Sequence, residues 1–120
     1  MITDSEKLAL ARRQLIPPDV STALVDLFKV LGDGTRLQLL AVLQAGELSV
    51  GELAATVGMT DSAVSHQLRT LRQAGVVRHR RDGKSIRYAL DDHHILSLLE
   101  QARRHAEHFD PPPPEAGEPL

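Results

Sequence analysis

The chain has 120 residues, 42% of them hydrophobic, a net charge of −2 and no cysteine. That length suits one domain with a modest core; no run approaches the roughly 18 apolar residues of a membrane span, and the opening MITDSEKLAL lacks a secretory pattern, so a cytoplasmic protein with no membrane partner is predicted. Without cysteine, disulfides, thiolate zinc fingers and thiolate metal sensing are excluded, and any metal must be held by nitrogen and oxygen.

Residues 5–15 predict a short amphipathic helix ended by Pro17-Pro18, which also suit entry into the next one. Residues 1–18 are therefore expected to form an N-terminal arm. Val20, Leu24, Leu27, Phe28 and Leu31 then recur at helical spacing over 19–31. Asp33 predicts the cap of a third helix with the apolar set Leu37, Leu40, Ala41 and Leu43, closed at Gly46. Leu48-Ser49-Val50 is too short for anything but an edge strand. A helix over Glu52–Val57 meets Gly58, and Thr60 or Asp61 caps another that runs to about Ala74.

After Gly75 the period changes from helical to alternating. Val76–Arg81 and Lys84–Leu90 are strand-like runs around Asp82-Gly83, a strong hairpin signal. Ile86, Tyr88 and Leu90 alternate toward a core while Arg87 points away. Asp91 or Asp92 caps a last helix over about 92–107. Phe109 leads into DPPPPEAGEP, so 109–120 is expected to be a disordered or polyproline tail after a domain spanning 19–108.

The mildly acidic total hides a basic segment. Residues 60–90 hold seven cations (Arg69, Arg72, Arg78, Arg80, Arg81, Lys84, Arg87) against Asp61 and Asp82, a local balance of +5. Local charge, rather than the total, makes an electrostatic footprint. Helix, glycine turn, helix and basic hairpin is also the order of a winged helix-turn-helix, a mainly α fold with a β-hairpin wing. On the second of those helices Val64, Leu68 and Leu71 form a buried stripe. The opposite face gathers Ser62, Ser65, His66 and Arg69, short hydrogen-bonding groups plus a cation that suit a DNA major groove. Arg80, Arg81, Lys84 and Arg87 on the hairpin would grip phosphates alongside. Gln67 falls near the buried edge and is expected to bond internally. Asp61 would repel phosphate and serves the helix start.

A second constellation lies in the last helix: Asp92-x-His94, ten residues, then His105-x-x-His108. His105 and His108 share a face, and His94 lies three turns back on that face. At about 1.5 Å per residue the two pairs are roughly 16 Å apart along the axis, beyond the reach of one ion. An antiparallel second copy would bring the Asp92/His94 end of one helix to the His105/His108 end of the other. That arrangement gives two equivalent four-ligand sites in a homodimer. Asp92 can join His94 only from the helix start, because residues two apart on a regular helix point nearly opposite ways. His93 is rotated about 100° from His94 and is expected to be a bystander. His79 reads as a half-buried strand residue. The only enzyme-like feature, His105-x-x-His108, lacks the H-E-x-x-H of a zinc hydrolase, so no enzyme is predicted.

The run from LGDGTRL through AVSHQLRTLRQAGVV and RRDGKSIRYAL resembles the ArsR/SmtB family of metal-responsive repressors, over residues 28–108. The resemblance implies an α-rich winged helix that dimerises through its first and last helices and binds operator DNA until a metal ion binds. The family's thiolate site would need cysteine where ELSVGEL places Ser49, so that site is missing. The last-helix site of the family's zinc sensors is matched by Asp92 and His94 with His105 and His108 of the partner subunit. His108 stands where some members have glutamate. The family's nickel and cobalt sensors recruit further histidines or N-terminal ligands, whereas here no histidine precedes His66 or follows His108. Zn(II) is therefore the expected effector, with Co(II) as a stand-in. Sensing of nickel or cobalt, or a winged-helix repressor with no metal site, are the alternatives.

Overall fold

Side-chain caps set most of the helix boundaries. In the computed structural model, which describes residues 1–114, Thr3 caps α1 (Asp4–Arg13), and Pro17 precedes α2 (Pro18–Leu31), which has proline in its first turn. Asp33 caps α3 (Gly34–Val42), which tightens into a 3₁₀ turn over Leu43–Ala45. Ser49 and Glu52 form a reciprocal capping box at α4 (Val50–Val57). Thr60, not Asp61, accepts the Ala63 N–H at the start of α5 (Asp61–Gln73). Asp92 accepts from both His94 N and Ile95 N to open α6 (His93–His108).

Strand β1 (Leu48–Ser49) is short, as predicted, and pairs antiparallel with β3 (Ser85–Leu90), which pairs in turn with β2 (Val77–Asp82). The sheet order is β1-β3-β2, so the hairpin wing is anchored through β3 to the strand ahead of α4. The hairpin closes one residue later than Asp82-Gly83 suggests. Asp82 pairs with Ser85, leaving Gly83 and Lys84 as the central residues. Gly83 has φ +61° and Lys84 does not have positive φ, the pattern of a type II′ turn with glycine first. Arg81 consequently faces Ile86 rather than Lys84. The shift is an even number of residues along the partner strand, so every side chain keeps its predicted face.

The core is one cluster of Leu31, Leu39, Leu40, Leu43, Leu53, Ala54, Val64, Leu68, Leu71, Val76 and Val77. Burying a leucine fully contributes about 1.5–3 kcal/mol, so α3, α4 and α5 are held mainly by these side chains. Two faces of α3 are distinct. Leu39, Leu40 and Leu43 enter the core, but Leu37 and Ala41 do not. Those two instead line a cleft of about 460 Å³ against Leu99, Ala102 and Ala106 of α6. The predicted stripe on α3 thus mixed residues from both faces. Helix α1 buries none of its residues, and Leu8, Leu10, Leu15 and Ile16 stay exposed. Among the described residues no helix is long and apolar enough to cross a membrane. Of the expected tail, Pro111–Pro114 has no regular structure, and 115–120 lies outside the described residues.

Candidate DNA-reading surface and metal half-sites

The α4-turn-α5 unit is fixed from below. Val64, Leu68 and Leu71 are fully buried, which turns Ser62, His66 and Arg69 outward, with Ser65 half-buried on the same side. None of these four side chains is hydrogen-bonded among the described residues, so all remain available to a ligand. Gln67 bonds internally, as its position at the buried edge suggests: Arg36 Nη1 donates to Gln67 Oε1 at 3.2 Å. Arg36 Nε also donates to the Val30 carbonyl at 2.8 Å, so this one guanidinium ties α2 and α3 to α5. The C-terminus of α5 is closed by Gly75 at φ +72°, with Gly75 N–H donating to Arg72 O and Val76 N–H to Leu71 O. This is a Schellman motif, and glycine is required there because other residues rarely adopt that backbone. Val76 O in turn accepts the Asp91 N–H, so the end of α5 is bonded to the residue before the α6 cap.

The wing is less uniform than its composition implies. Arg80 Nε donates to Glu47 Oε2 at 2.7 Å. Arg87 reaches both Glu52 Oε1 at 3.2 Å and Asp82 Oδ2 at 3.0 Å. Ser49 and the Arg87 guanidinium together hold the Glu52 carboxyl below the usual carboxylate range, Ser49 contributing most, and the bond to Glu47 raises the Arg80 guanidinium. Arg81 and Lys84 have no ion pair among the described residues. Ile86 is exposed rather than core-facing, since only the base of the hairpin reaches the cluster, where Tyr88 and Leu90 pack.

His79 is likewise exposed, not half-buried, because β2 leaves the core after Val77. Its Nε2 lies 2.6 Å from Arg72 Nη1, and its ring lies 5.6 Å from that of Tyr88. Arginine can only donate, so Nε2 is the acceptor in this contact. The contact links the last turn of α5 to the wing. Sequence spacing gave no sign of it, nor of the acidic partners Glu47 and Glu52, because each pair joins different elements.

On α6, Ile95, Leu98 and Leu99 pack toward the core, while His94, His105 and His108 are exposed. Asp92 is the N-cap residue that the geometry demanded. Its Oδ1 accepts the two helix N–H groups, and Oδ2 stands 3.3 Å from His94 Nδ1. The bond to His94, then the two backbone N–H groups, hold the Asp92 carboxyl below its ordinary value, so it stays anionic. With metal–ligand bonds of about 2.0–2.1 Å, neighbouring donors of a tetrahedral site lie about 3.3 Å apart, which this pair already matches. His93 has its ring 4.4 Å from that of His94, and His105 stacks on Phe109 at 5.6 Å. Among the described residues of one protomer, no group of three or more His, Cys, Asp or Glu side chains is placed to hold a metal ion. Each protomer thus presents two separated pairs, Asp92/His94 and His105/His108.

Residues 33–79 match the model of a bacterial regulatory protein, arsR family. The chain is 34% identical over 105 residues to a transcriptional repressor SmtB homolog of Synechocystis, covering 88% of this chain and 80% of that protein. It is 36% identical over 104 residues to a cadmium resistance transcriptional regulatory protein CadC homolog of Staphylococcus aureus, covering 83% of each. Among solved structures, the homodimeric winged helix-turn-helix DNA-binding domain of a Mycobacterium bovis protein superposes with a TM-score of 0.73 at 29% identity, covering 77% of this chain and 86% of that one. The architecture, the α4–α5 pair and these relatives lead to one conclusion: the chain belongs to the arsR family of bacterial regulatory proteins.

Proposed function

We propose that this protein is a cytoplasmic, metal-responsive transcriptional repressor that binds operator DNA as an apo homodimer and is released by Zn(II). The observation that carries the reading is the preorganised Asp92/His94 pair at the α6 N-cap, with His105 and His108 exposed on the same helix face. Two such pairs from different protomers make a four-ligand, cysteine-free donor set suited to zinc. The dimer is supported by α1, which buries nothing on its own protomer, and by the apolar cleft between α3 and α6. Both are surfaces that a second copy covers. Ser62, Ser65, His66 and Arg69 face the major groove, and the wing adds Arg81 and Lys84, with Arg80 and Arg87 behind them.

A bound metal ion supplies a fixed link between two protomers; the chain's own groups carry that constraint to the DNA-reading helix. His105, when one ring nitrogen ligates, has a second N–H to donate. The carbonyls of Gln73, Ala74 and Gly75 beyond the Schellman bonds are acceptors for it. No hydrogen bond joins His105 to α5 within the protomer among the described residues, and the proposed link is one that metal binding would form. The test is operator affinity at fixed salt with and without saturating zinc, using a duplex selected from a random pool by the apo protein. Zinc should weaken binding by about 1–3 kcal/mol, and DNA should weaken zinc binding by the same factor. Equal affinity in both arms would leave a DNA-binding protein whose last helix only dimerises.

A further inference from the structure

Cross-strand partners share a face of the sheet. The register places Arg78, Arg80 and Asp82 of β2 on the same side as Ser85, Arg87 and Ala89 of β3, with Ser49 of β1 opposite Arg87. Three carboxylates meet two of the three arginines on that side, and the third is held by a backbone carbonyl. Glu47 takes Arg80, Glu52 and Asp82 share Arg87, and Arg78 donates to the Asp91 carbonyl at 3.0 Å. Glu52 is not a passing partner, since its Oε1 also accepts the Ser49 N–H at 2.9 Å and is fixed by the start of α4. The outer face of the wing is therefore near neutral. Toward the tip, Arg81 and Lys84, at and beside the turn, are the cations with no carboxylate partner among the described residues.

We infer that Glu47 and Glu52 are affinity-limiting residues for DNA, cancelling the charges of Arg80 and Arg87 so that the wing engages phosphate through Arg81 and Lys84 alone. The inference rests on the DNA-binding reading above. Exposed ion pairs are weak because water screens them, so a phosphate can displace either glutamate from its arginine. Displacement does not remove the carboxylate, which stays well within the screening length of about 8 Å and repels the phosphate that replaced it. The net count of counterions released on binding is then unchanged. A wing built this way gives up sequence-independent affinity and so widens the ratio of specific to non-specific binding.

The test is the slope of log affinity against log salt, for the selected operator and for an unrelated duplex, with the full chain as apo protein. Glu47→Gln keeps an acceptor for Arg80, and Glu52→Gln keeps the capping box, so both remove charge without removing the local bond. Glu47→Gln should steepen the slope by about 0.9, equivalent to about 3.5-fold more affinity lost over a fourfold rise in salt, and Glu52→Gln by less, because Asp82 stays on Arg87. Arg80→Ala should change the slope little in the unaltered protein but abolish the gain in the Glu47→Gln background. That non-additivity separates a local pairing from a general change in net charge. Unchanged slopes in both glutamine variants, or a full unit lost on Arg80→Ala alone, would overturn the inference while leaving DNA binding in place. Absence of salt-dependent binding in the unaltered protein would overturn both readings, and it would show before any variant is made.

Discussion

If each metal site takes Asp92 and His94 from one protomer and His105 and His108 from the other, two crippled proteins should repair each other. The perturbation is a pair of variants, one carrying Asp92→Ala with His94→Ala, the other His105→Ala with His108→Ala. Eleven residues separate His94 from His105, about 16 Å of helix, so neither variant can assemble four donors on its own helix. Homodimers of the first variant keep only His105/His108 pairs, and those of the second only Asp92/His94 pairs. A heterodimer has one site with all four ligands and one with none. Equimolar subunits that exchange freely give heterodimers in about half of all dimers, hence about one complete site per two dimers, or about 0.25 ions per protomer. The unaltered protein should bind about one ion per protomer. Co(II) titration reads this directly, because four-coordinate Co(II) gives intense d–d bands that Zn(II) displaces. Each variant alone should give almost no signal, and the mixture about a quarter of the full one. Full-strength bands from either variant alone, or none from the exchanged mixture, would refute the two-chain site.

Two further outcomes follow from bonds within the protomer. Arg36→Met should destabilise the fold by about 2–4 kcal/mol, since it leaves the Val30 carbonyl and Gln67 without a charged donor; urea midpoints at fixed protomer concentration measure it, and a loss below about 0.5 kcal/mol would show that the three-helix tie is idle. The Glu52 carboxyl is held below its ordinary 4.5 by Ser49 and Arg87, so its stabilising contribution is complete above that value and is lost as pH falls through the lowered one. The difference in melting temperature between the unaltered protein and Glu52→Gln should therefore shrink on acidification below 4.5, and a pH-independent difference would count against a stabilising role for the carboxylate charge.

The sequence was most legible where chemistry is local. Asp33, Thr60 and Asp92 are capping residues next to apolar periodic runs, and each became a helix start, whereas Ser49, read as part of an edge strand, caps α4 as well. The buried stripe Val64, Leu68 and Leu71, and the inward bond of Gln67, followed from helical phase alone. The α4–α5 pair and basic hairpin carried the family assignment. What could not be read were contacts between distant segments. Arg80 and Arg87 looked like free phosphate-binding cations, yet their partners Glu47 and Glu52 lie 33 and 35 residues away in sequence. The α3 stripe misled because a helix touching both a core and a cleft shows apolar residues on two faces, and periodicity does not say which face goes where. The hairpin turn slipped by one residue because Asp-Gly and Gly-Lys both satisfy a two-residue loop, and the choice is settled by pairing along the strands.

Val76 has a consequence for how force moves through the molecule. Its N–H is bonded to Leu71 at the end of α5 and its carbonyl to Asp91, one residue before the Asp92 cap. Three elements therefore meet at a single residue: the end of α5, the base of the wing and the segment just ahead of the α6 cap. Such a joint transmits rotation and does not absorb it. A pull on Asp92 cannot swing α5 inside the protomer without breaking two backbone bonds, so each subunit should turn as a rigid block, with the compliant surface lying between subunits. Hydrogen exchange should then find the Val76 and Asp91 amides equally slow in every ligand state, while protection changes gather along α1 and the outer face of α6.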